Sequence, residues 1–186
     1  VTIPVSTNIT TVNTTTVTSN YAIHFVNPAV GDANWSAQVW YELAEPMKAG
    51  KTYTLKCKAA ASEQYDWCSI FLQSTDGSVQ NYNHGMSFST EWKQVEVTIN
   101  PDQDVYQRLT WCFGDKAITL MLDDVSLTEK GSEVNLITNG DFEGQTTEGW
   151  SSWAGYEKIG AGEGGIQSEV VESTDVNAKT CQVKLT

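Results

Sequence analysis

An aromatic ring and an amide share one face of a short alternating stretch, residues 35–41. If Ala37 and Val39 face a core, Gln38 and Trp40 point the other way, because successive side chains of a strand alternate in direction. A flat ring offers an apolar stacking surface, and an amide offers planar donors and an acceptor for hydroxyl groups. The pattern therefore suits a ligand that has both apolar faces and hydroxyls, and Trp40 is the leading candidate for its stacking surface.

A second stretch, residues 67–73, repeats this combination. With the apolar residues at its even positions in the core, the outward set is Trp67, Ser69, Phe71 and Gln73. A large aromatic side chain that faces solvent in mid-strand is costly unless it is used. We therefore expect Trp67, Phe71 and Gln73 to contact a ligand; the alternative for each ring is packing in the core or against a second sheet.

Three further residues extend this candidate site. Leu109 and Trp111 alternate as core residues, which leaves Arg108 pointing toward the same cleft. Tyr82 and His84 lie in a polar run nearby, and we expect them to form the rim.

Catalytic patterns are missing from the sequence. It has 2 His and neither a metalloprotease nor a nucleophile-elbow motif. Hydrolysis of a sugar chain needs two carboxylates about 5–10 Å apart. Glu42 with Glu45, and Asp66 with Asp104, are conceivable pairs but sit near expected loops. We therefore expect a protein that is not an enzyme.

The elements that position these residues read as β-strands. Residues 51–58, 93–99 and 118–127 alternate apolar and polar side chains, and turn residues separate such runs every 8–15 positions or so. Helix signals are almost absent. The sequence predicts an all-β protein, an antiparallel β-sandwich of the jelly-roll type.

Composition limits the class of ligand. The chain has 186 residues, a net charge of −12 and 11 Lys and Arg residues, which disfavours nucleic acid and anionic membrane surfaces. The 7 Trp and 7 Tyr favour a neutral ligand with stacking faces, such as a sugar. We expect neither a transmembrane helix nor a signal peptide within these residues, and a signal cut away from the chain is compatible with this expectation. We expect an extracellular, periplasmic or cell-surface protein; three glycosylation sequons fit secretion but carry little weight, because they arise easily in a chain rich in Thr and Asn.

The four cysteines and one glycine-rich motif carry less information. The cysteine spacing favours buried free thiols, with disulfides and a metal site as alternatives. Residues 160–165 match GxGxxG, but no strand-helix unit surrounds them, so we interpret them as a loop.

Five segments, in order along the chain, resemble carbohydrate-binding modules of families 4, 9 and 22. Asn135-Leu-Ile-Thr-Asn-Gly-Asp-Phe-Glu143, with Gly149-Trp150 soon after, looks like the opening strand of those modules, and Leu120-Met-Leu-Asp-Asp-Val-Ser-Leu127 looks like their last strand. Between the two ends of the module lie the matches at residues 34–40, 49–55 and 90–93. The resemblance implies a jelly-roll module that holds xylan, β-glucan or cellulose chains in a cleft, usually attached to a glycoside hydrolase.

The order of these segments is inverted, because the opening strand follows the closing strand. We therefore divide the chain into a main sandwich, residues 1–131, and a second segment, residues 132–186. The second segment either completes the same sandwich, as in a permuted strand order, or begins a second, truncated module.

The resemblance also assigns residues. Trp35 resembles a tryptophan at the edge of the family's cleft, and Trp92 and Trp150 sit at framework positions. Asp124 and Glu143 match positions that often bind a structural Ca²⁺, which would tie residue 143 to the last strand; the alternative is that the acidic residues only close a strand end.

The residues and the resemblance together predict non-catalytic binding of polysaccharide. The resemblance implies that this polysaccharide is xylan first, and that the module targets a glycoside hydrolase in the same polypeptide to its substrate. The alternative is a structural or adhesive sandwich without a sugar ligand. That alternative predicts that Trp40 and Phe71 are buried or covered by another chain.

Overall fold

The computed structural model describes residues 20–155 and 166–175, and within them the regular structure is β-strand apart from one 3₁₀ turn, Asn34–Ser36. The strands are β1 (Tyr21–Val26), β2 (Ala37–Glu42), β3 (Tyr53–Ala61), β4 (Tyr65–Gln73), β5 (Gln80–Phe88), β6 (Lys93–Ile99), β7 (Arg108–Cys112), β8 (Thr119–Glu129), β9 (Trp150–Ala154) and β10 (Gln167–Glu172).

These strands form two five-stranded sheets. Sheet A has the order β10-β1-β8-β3-β6, and sheet B has the order β5-β4-β7-β2-β9. Every pairing between neighbouring strands is antiparallel. The predicted all-β, antiparallel sandwich is confirmed.

The core lies between the sheets and follows the period-two pattern of the sequence. In β2, Ala37, Val39 and Tyr41 are buried, whereas Gln38 and Trp40 between them are only half-buried. One face of each such strand can therefore pack inward while the other remains available.

Trp150 stands in the centre of an aromatic cluster that joins both sheets. Its ring centroid lies 5.6 Å from Phe25, 5.4 Å from Tyr41, 5.4 Å from Trp111 and 5.7 Å from Phe142. Tilted and edge-on rings at these distances interact favourably beyond the area that they bury. The framework position that the sequence predicted for Trp150 is thus a core position.

The chain after residue 131 adds a strand to each sheet. Residues Thr128 and Asn135 form an isolated bridge, β9 pairs with β2, and β10 pairs with β1. Phe142 has no exposed surface. Residues 134–154 and 166–175 thus pack in the same sandwich as residues 20–131, with the strand that follows β8 in sequence placed beside β2. The division into domains at residue 131 stays a prediction, because residues 176–186 lie outside the described part.

Three cysteines, Cys57, Cys68 and Cys112, are buried free thiols. Burial raises the pKa of the Cys57 thiol to about 12 and raises the pKa of the other two as well, so all three stay protonated. The fourth, Cys181, and the glycine-rich motif at 160–165 lie outside the described residues.

Candidate functional site

The strand register brings predicted site residues together on the outer face of sheet B, which we call the cleft face. Trp40 is opposite Thr110, and Thr110 is opposite Phe71 on the next strand. Arg108, two residues before Thr110, is opposite Gln73. Directly paired residues of a sheet point to the same side. These side chains therefore occupy one surface across three strands.

A chain of hydrogen bonds fixes the amides on this surface. Thr110 Oγ1 donates to Gln73 Oε1 at 2.7 Å, Gln73 Nε2 donates to Gln38 Oε1 at 3.4 Å, and Gln38 Nε2 donates to the Trp35 carbonyl at 2.8 Å. Thr110 and Gln73 are buried, and Gln38 is half-buried. An amide has more donor and acceptor capacity than these bonds use. Gln38 can therefore offer hydrogen bonds to hydroxyl groups from a fixed orientation.

A cavity of about 460 Å³ opens on the cleft face between the 3₁₀ turn and β5. It is lined by Asn34, Trp35, Ser69, Phe71, Gln80 and Tyr82. Trp35 is 52% exposed and Tyr82 is 65% exposed, whereas Phe71 is only 8% exposed because the Tyr82 ring lies 5.6 Å from its own. The free stacking surfaces of the cavity are therefore those of Trp35 and Tyr82, with Phe71 as support beneath Tyr82.

Trp40 has less free ring surface than the sequence suggested. The Arg108 guanidinium carbon lies 5.1 Å from the centroid of its ring, and Arg108 Nε donates to Glu42 Oε2 at 3.1 Å. A guanidinium over an aromatic face is attracted by the ring's negative face. This stack holds Arg108 in place and occupies one side of Trp40.

Trp67 lies on the same surface and is 58% exposed. Its ring crosses the backbone of Gly85 on the neighbouring strand: a Cβ at position 85 would lie 2.4 Å from Trp67 Cε2. Only glycine leaves room for that approach. The ring is thereby laid against the sheet with a large area open to solvent.

His84 is the predicted site residue that the structure does not bring to the cleft face. It pairs with Ile70, whose side chain is in the core, so its ring lies on the inner side of β5. A register shift between Ile70 and Leu72 causes this change. Such an irregularity reverses the parity of the residues beyond it. Burial lowers the pKa of His84.

The sequence analysis missed one exposed aromatic residue on this face, Trp153. It pairs with Gln38, and Ser151 pairs with Trp40, so both point to the cleft face. Trp153 is 49% exposed. The spacing of the two tryptophans could have revealed it, because a core position for Trp150 places Trp153 on the opposite side of a strand.

The two residues assigned to calcium are each engaged by protein groups. Asp124 Oδ2 lies 2.8 Å from Lys58 Nζ, and Glu143 Oε1 accepts a hydrogen bond from the Tyr21 backbone N–H at 2.9 Å. Among the residues that the structure describes, no group of three or more His, Cys, Asp or Glu side chains is placed to hold a metal ion. The arrangement does not fit a divalent cation at Asp124, because the Lys58 ammonium already supplies positive charge there. Calcium binding at Asp124 and Glu143 stays an untested expectation of the resemblance, and these two contacts give it no support.

Asp123 lies beside this ion pair and has no exposed surface. Its carboxylate accepts hydrogen bonds from Asn20 Nδ2 and from the Asp124 backbone N–H, both at 2.7 Å. Burial is the largest effect on its pKa, which is raised from 3.8 to about 6 despite the Asn20 hydrogen bond. The outer side of sheet A thus carries a buried carboxyl whose pKa is raised well above that of an ordinary aspartate.

No helix in the described part of the chain is long and apolar enough to cross a membrane. No family model matches the sequence, and no curated protein matches it.

Solved structures do match. A structure described as "PbXyn10C CBM APO" superposes with a TM-score of 0.70 and 22% identity, covering 90% of this chain and 94% of its own. One described as "BiXyn10A CBM1 APO" has a TM-score of 0.45 and 23% identity over 57% of this chain and 72% of its own. The N-terminal cellulose-binding domain of Cellulomonas fimi β-1,4-glucanase C has a TM-score of 0.42 and 24% identity over 63% of this chain and 80% of its own.

The first of these structures matches this chain over both sheets, including the residues after 131. In this chain the segment that resembles an opening strand follows the segment that resembles a closing strand, and this order is therefore compatible with one known sandwich. This chain has the β-sandwich fold of a carbohydrate-binding module.

Proposed function

We propose that this chain binds an extended neutral polysaccharide, xylan first, on the cleft face and does so without catalysis. The observation that carries the proposal is the combination of exposed Trp35, Trp67 and Tyr82 rings with the fixed Gln38 amide on one surface. Sugar rings stack through their C–H faces on aromatic rings, and their hydroxyls bond to planar amides. The fold of a carbohydrate-binding module supports the same conclusion.

The chemistry of the lining supports binding without hydrolysis. The six residues around the cavity include no carboxylate. Glu42, which lies on the same face, is paired with Arg108. Glycoside hydrolysis needs one carboxyl group as acid and a second as nucleophile or base. Among the residues that the structure describes, the cavity lining of amides, hydroxyls and rings does not supply that pair.

The alternative, a structural or adhesive sandwich, has one observation in its favour. It predicts that Phe71 and Trp40 are covered, and Phe71 is 8% exposed. Its cover is Tyr82, which is itself a 65% exposed aromatic residue of the cavity. We therefore keep polysaccharide binding as the first proposal.

We further propose that the module targets a glycoside hydrolase of the same polypeptide to its substrate outside the cytoplasm. The description of the neighbour with a TM-score of 0.70, "PbXyn10C CBM APO", is in keeping with a module attached to a xylanase. A modest affinity, micromolar or weaker, is expected for an open cleft that must order a flexible chain. Attachment to an enzyme makes such an affinity useful, because tethering raises the effective concentration.

Isothermal titration with xylohexaose and cellohexaose tests the proposal. Tyr82→Ala is the test variant and Val134→Ala the control, since the two side chains are 65% and 66% exposed but only Tyr82 lines the cavity. We expect saturable heat with xylohexaose in the wild type and the control, and a strong loss of affinity in Tyr82→Ala. Binding of cellohexaose alone would overturn the preference for xylan. No heat with either sugar, from folded protein, would refute polysaccharide binding of this kind and favour the structural alternative.

A further inference from the structure

Trp153 is an exposed ring at the edge of sheet B with no role in the core. Trp150 and Ser152 of the same strand pair with core residues of β2, and Trp153 pairs with Gln38 on the cleft face. The ring is 49% exposed on a short edge strand. A single exposed apolar side chain needs no explanation, so the case for Trp153 depends on what shares its surface.

Trp153 has a counterpart at the opposite edge of the sheet. Trp67 is 58% exposed and its ring lies over Gly85 of edge strand β5. Trp153 likewise lies against a glycine, because a Cβ at Gly155 would be 2.7 Å from its Cη2. Each ring is thus held against backbone that has no side chain, and both stay open to solvent.

The two rings lie at the ends of one continuous row of the sheet. The row runs from Trp153 to Gln38, Cys112, Ser69 and Gly85 through four successive strand pairings. Four strand spacings amount to roughly 19 Å. Between the two ends, the row carries the half-buried Gln38 amide and the buried Ser69 hydroxyl on either side of the buried Cys112. The exposed aromatic rings therefore lie at its ends, and the Gln38 amide lies between them.

We propose that Trp153 is a second terminal stacking platform, so that an extended neutral polysaccharide lies across the strands from Trp67 to Trp153. This inference rests on the proposed function and adds a binding residue and a direction for the chain. The cavity lined by Trp35 and Tyr82 is on the β4–β5 side. A short oligosaccharide fills that side and leaves Trp153 untouched, whereas a long one reaches it.

Length dependence separates this arrangement from a single local site. Xylo-oligosaccharides from xylotriose to xylohexaose are titrated into the wild type, Trp153→Ala and Gly155→Ala. Trp153→Ala is expected to weaken binding of xylohexaose by roughly tenfold, near the upper range of one aromatic contact, and to leave xylotriose unchanged. Gly155→Ala, which displaces the ring without removing it, is expected to act in the same direction.

The outcomes distinguish this inference from the proposed function. If the wild type binds none of the sugars, the proposed function fails and this inference fails with it. If the wild type binds but Trp153→Ala retains full affinity for xylohexaose, only the second platform is refuted. An equal loss for xylotriose and xylohexaose would also refute it, because a terminal platform cannot affect a ligand that does not reach it. Thermal unfolding of each variant verifies that the titrated protein is folded.

Discussion

Two tryptophans three residues apart on β9 make a matched pair of substitutions. Trp150 is 7% exposed and has four aromatic rings around it at centroid distances of 5.4 to 5.7 Å, whereas Trp153 is 49% exposed on the opposite side of the same strand. Alanine at each position removes the same side chain. The two variants should therefore separate the stability of the sandwich from its binding of sugar.

The magnitude for Trp150→Ala follows from its burial. Truncation of a buried tryptophan costs about 3–5 kcal/mol, because the cavity left behind closes only in part. The hydrogen bond from Trp150 Nε1 to the Asn139 carbonyl, 2.9 Å long, is lost as well. For a domain of this size each kcal/mol lowers Tm by about 2–4 °C, so the expected fall is roughly 6–20 °C. Trp153→Ala should change the unfolding free energy by no more than about 0.5 kcal/mol.

Urea and thermal unfolding, followed by circular dichroism, measure these differences. A change below about 1 kcal/mol for Trp150→Ala would mean that the chain after residue 131 does not contribute to the core. A large loss of stability for Trp153→Ala would mean that β9 lies in the other register, with its faces exchanged. Either result would refute the placement of β9 in the sandwich, independently of any measurement of sugar binding.

Two further predictions concern buried polar groups, and a third concerns the exposed ion pair of Lys58 and Asp124. Thr110→Val should lower the unfolding free energy by about 1–3 kcal/mol and weaken sugar binding, because the buried Gln73 Oε1 loses its hydrogen-bond donor. Thr110→Ser should retain both stability and binding, so equal unfolding curves and affinities for the two variants would contradict this prediction. Asp123 has a higher pKa in the folded state, so its contribution favours folding at low pH and is lost as the pH rises from 3.8 to about 6. Asp123→Asn should therefore raise Tm relative to the wild type more at neutral pH than in acid. A Tm difference that does not vary with pH would contradict this prediction. Since Lys58 pairs with Asp124, removal of divalent cations with EDTA should leave Tm unchanged, and a fall of several degrees that calcium reverses would establish the calcium site instead.

Much of the architecture was predictable, because alternating apolar and polar residues fit few structures other than a half-buried β-strand. Residues 37–41 read as a half-buried strand in sequence, and the structure buries the same alternate residues. Alternation along the strands also predicted that Gln38, Trp40 and Gln73 point outward, and the register places all three on one face. It did not reveal how far each ring would be covered, because Arg108 and Tyr82 reach the cleft face from neighbouring strands.

Two residues were predicted on the wrong side of a strand or not predicted at all, and both lie beside irregular or weakly patterned segments. His84 falls beyond a register shift in the pairing of β4 and β5, and nothing in a run of polar residues marks such a shift. Trp153 lies on an edge strand of five residues, and β10 is an edge strand that is mostly exposed. Edge strands bury little, so their sequences carry little alternation, and their partners are set by contacts distant in sequence.

The pairing of β1 with β10 has a mechanical consequence. The described sandwich starts and ends on two neighbouring antiparallel strands, where the Ser173 N–H donates to the Asn20 carbonyl at 2.7 Å. A pulling force between residues 20 and 173 acts along the hydrogen bonds of this ladder, so it opens them one at a time, from Tyr21–Glu172 to Val26–Gln167. Such loading peels β10 away at a lower force than shearing all the pairs together. Sheet B, with the cleft face, lies outside this path, so a module under tension would lengthen at sheet A before it released what sheet B holds.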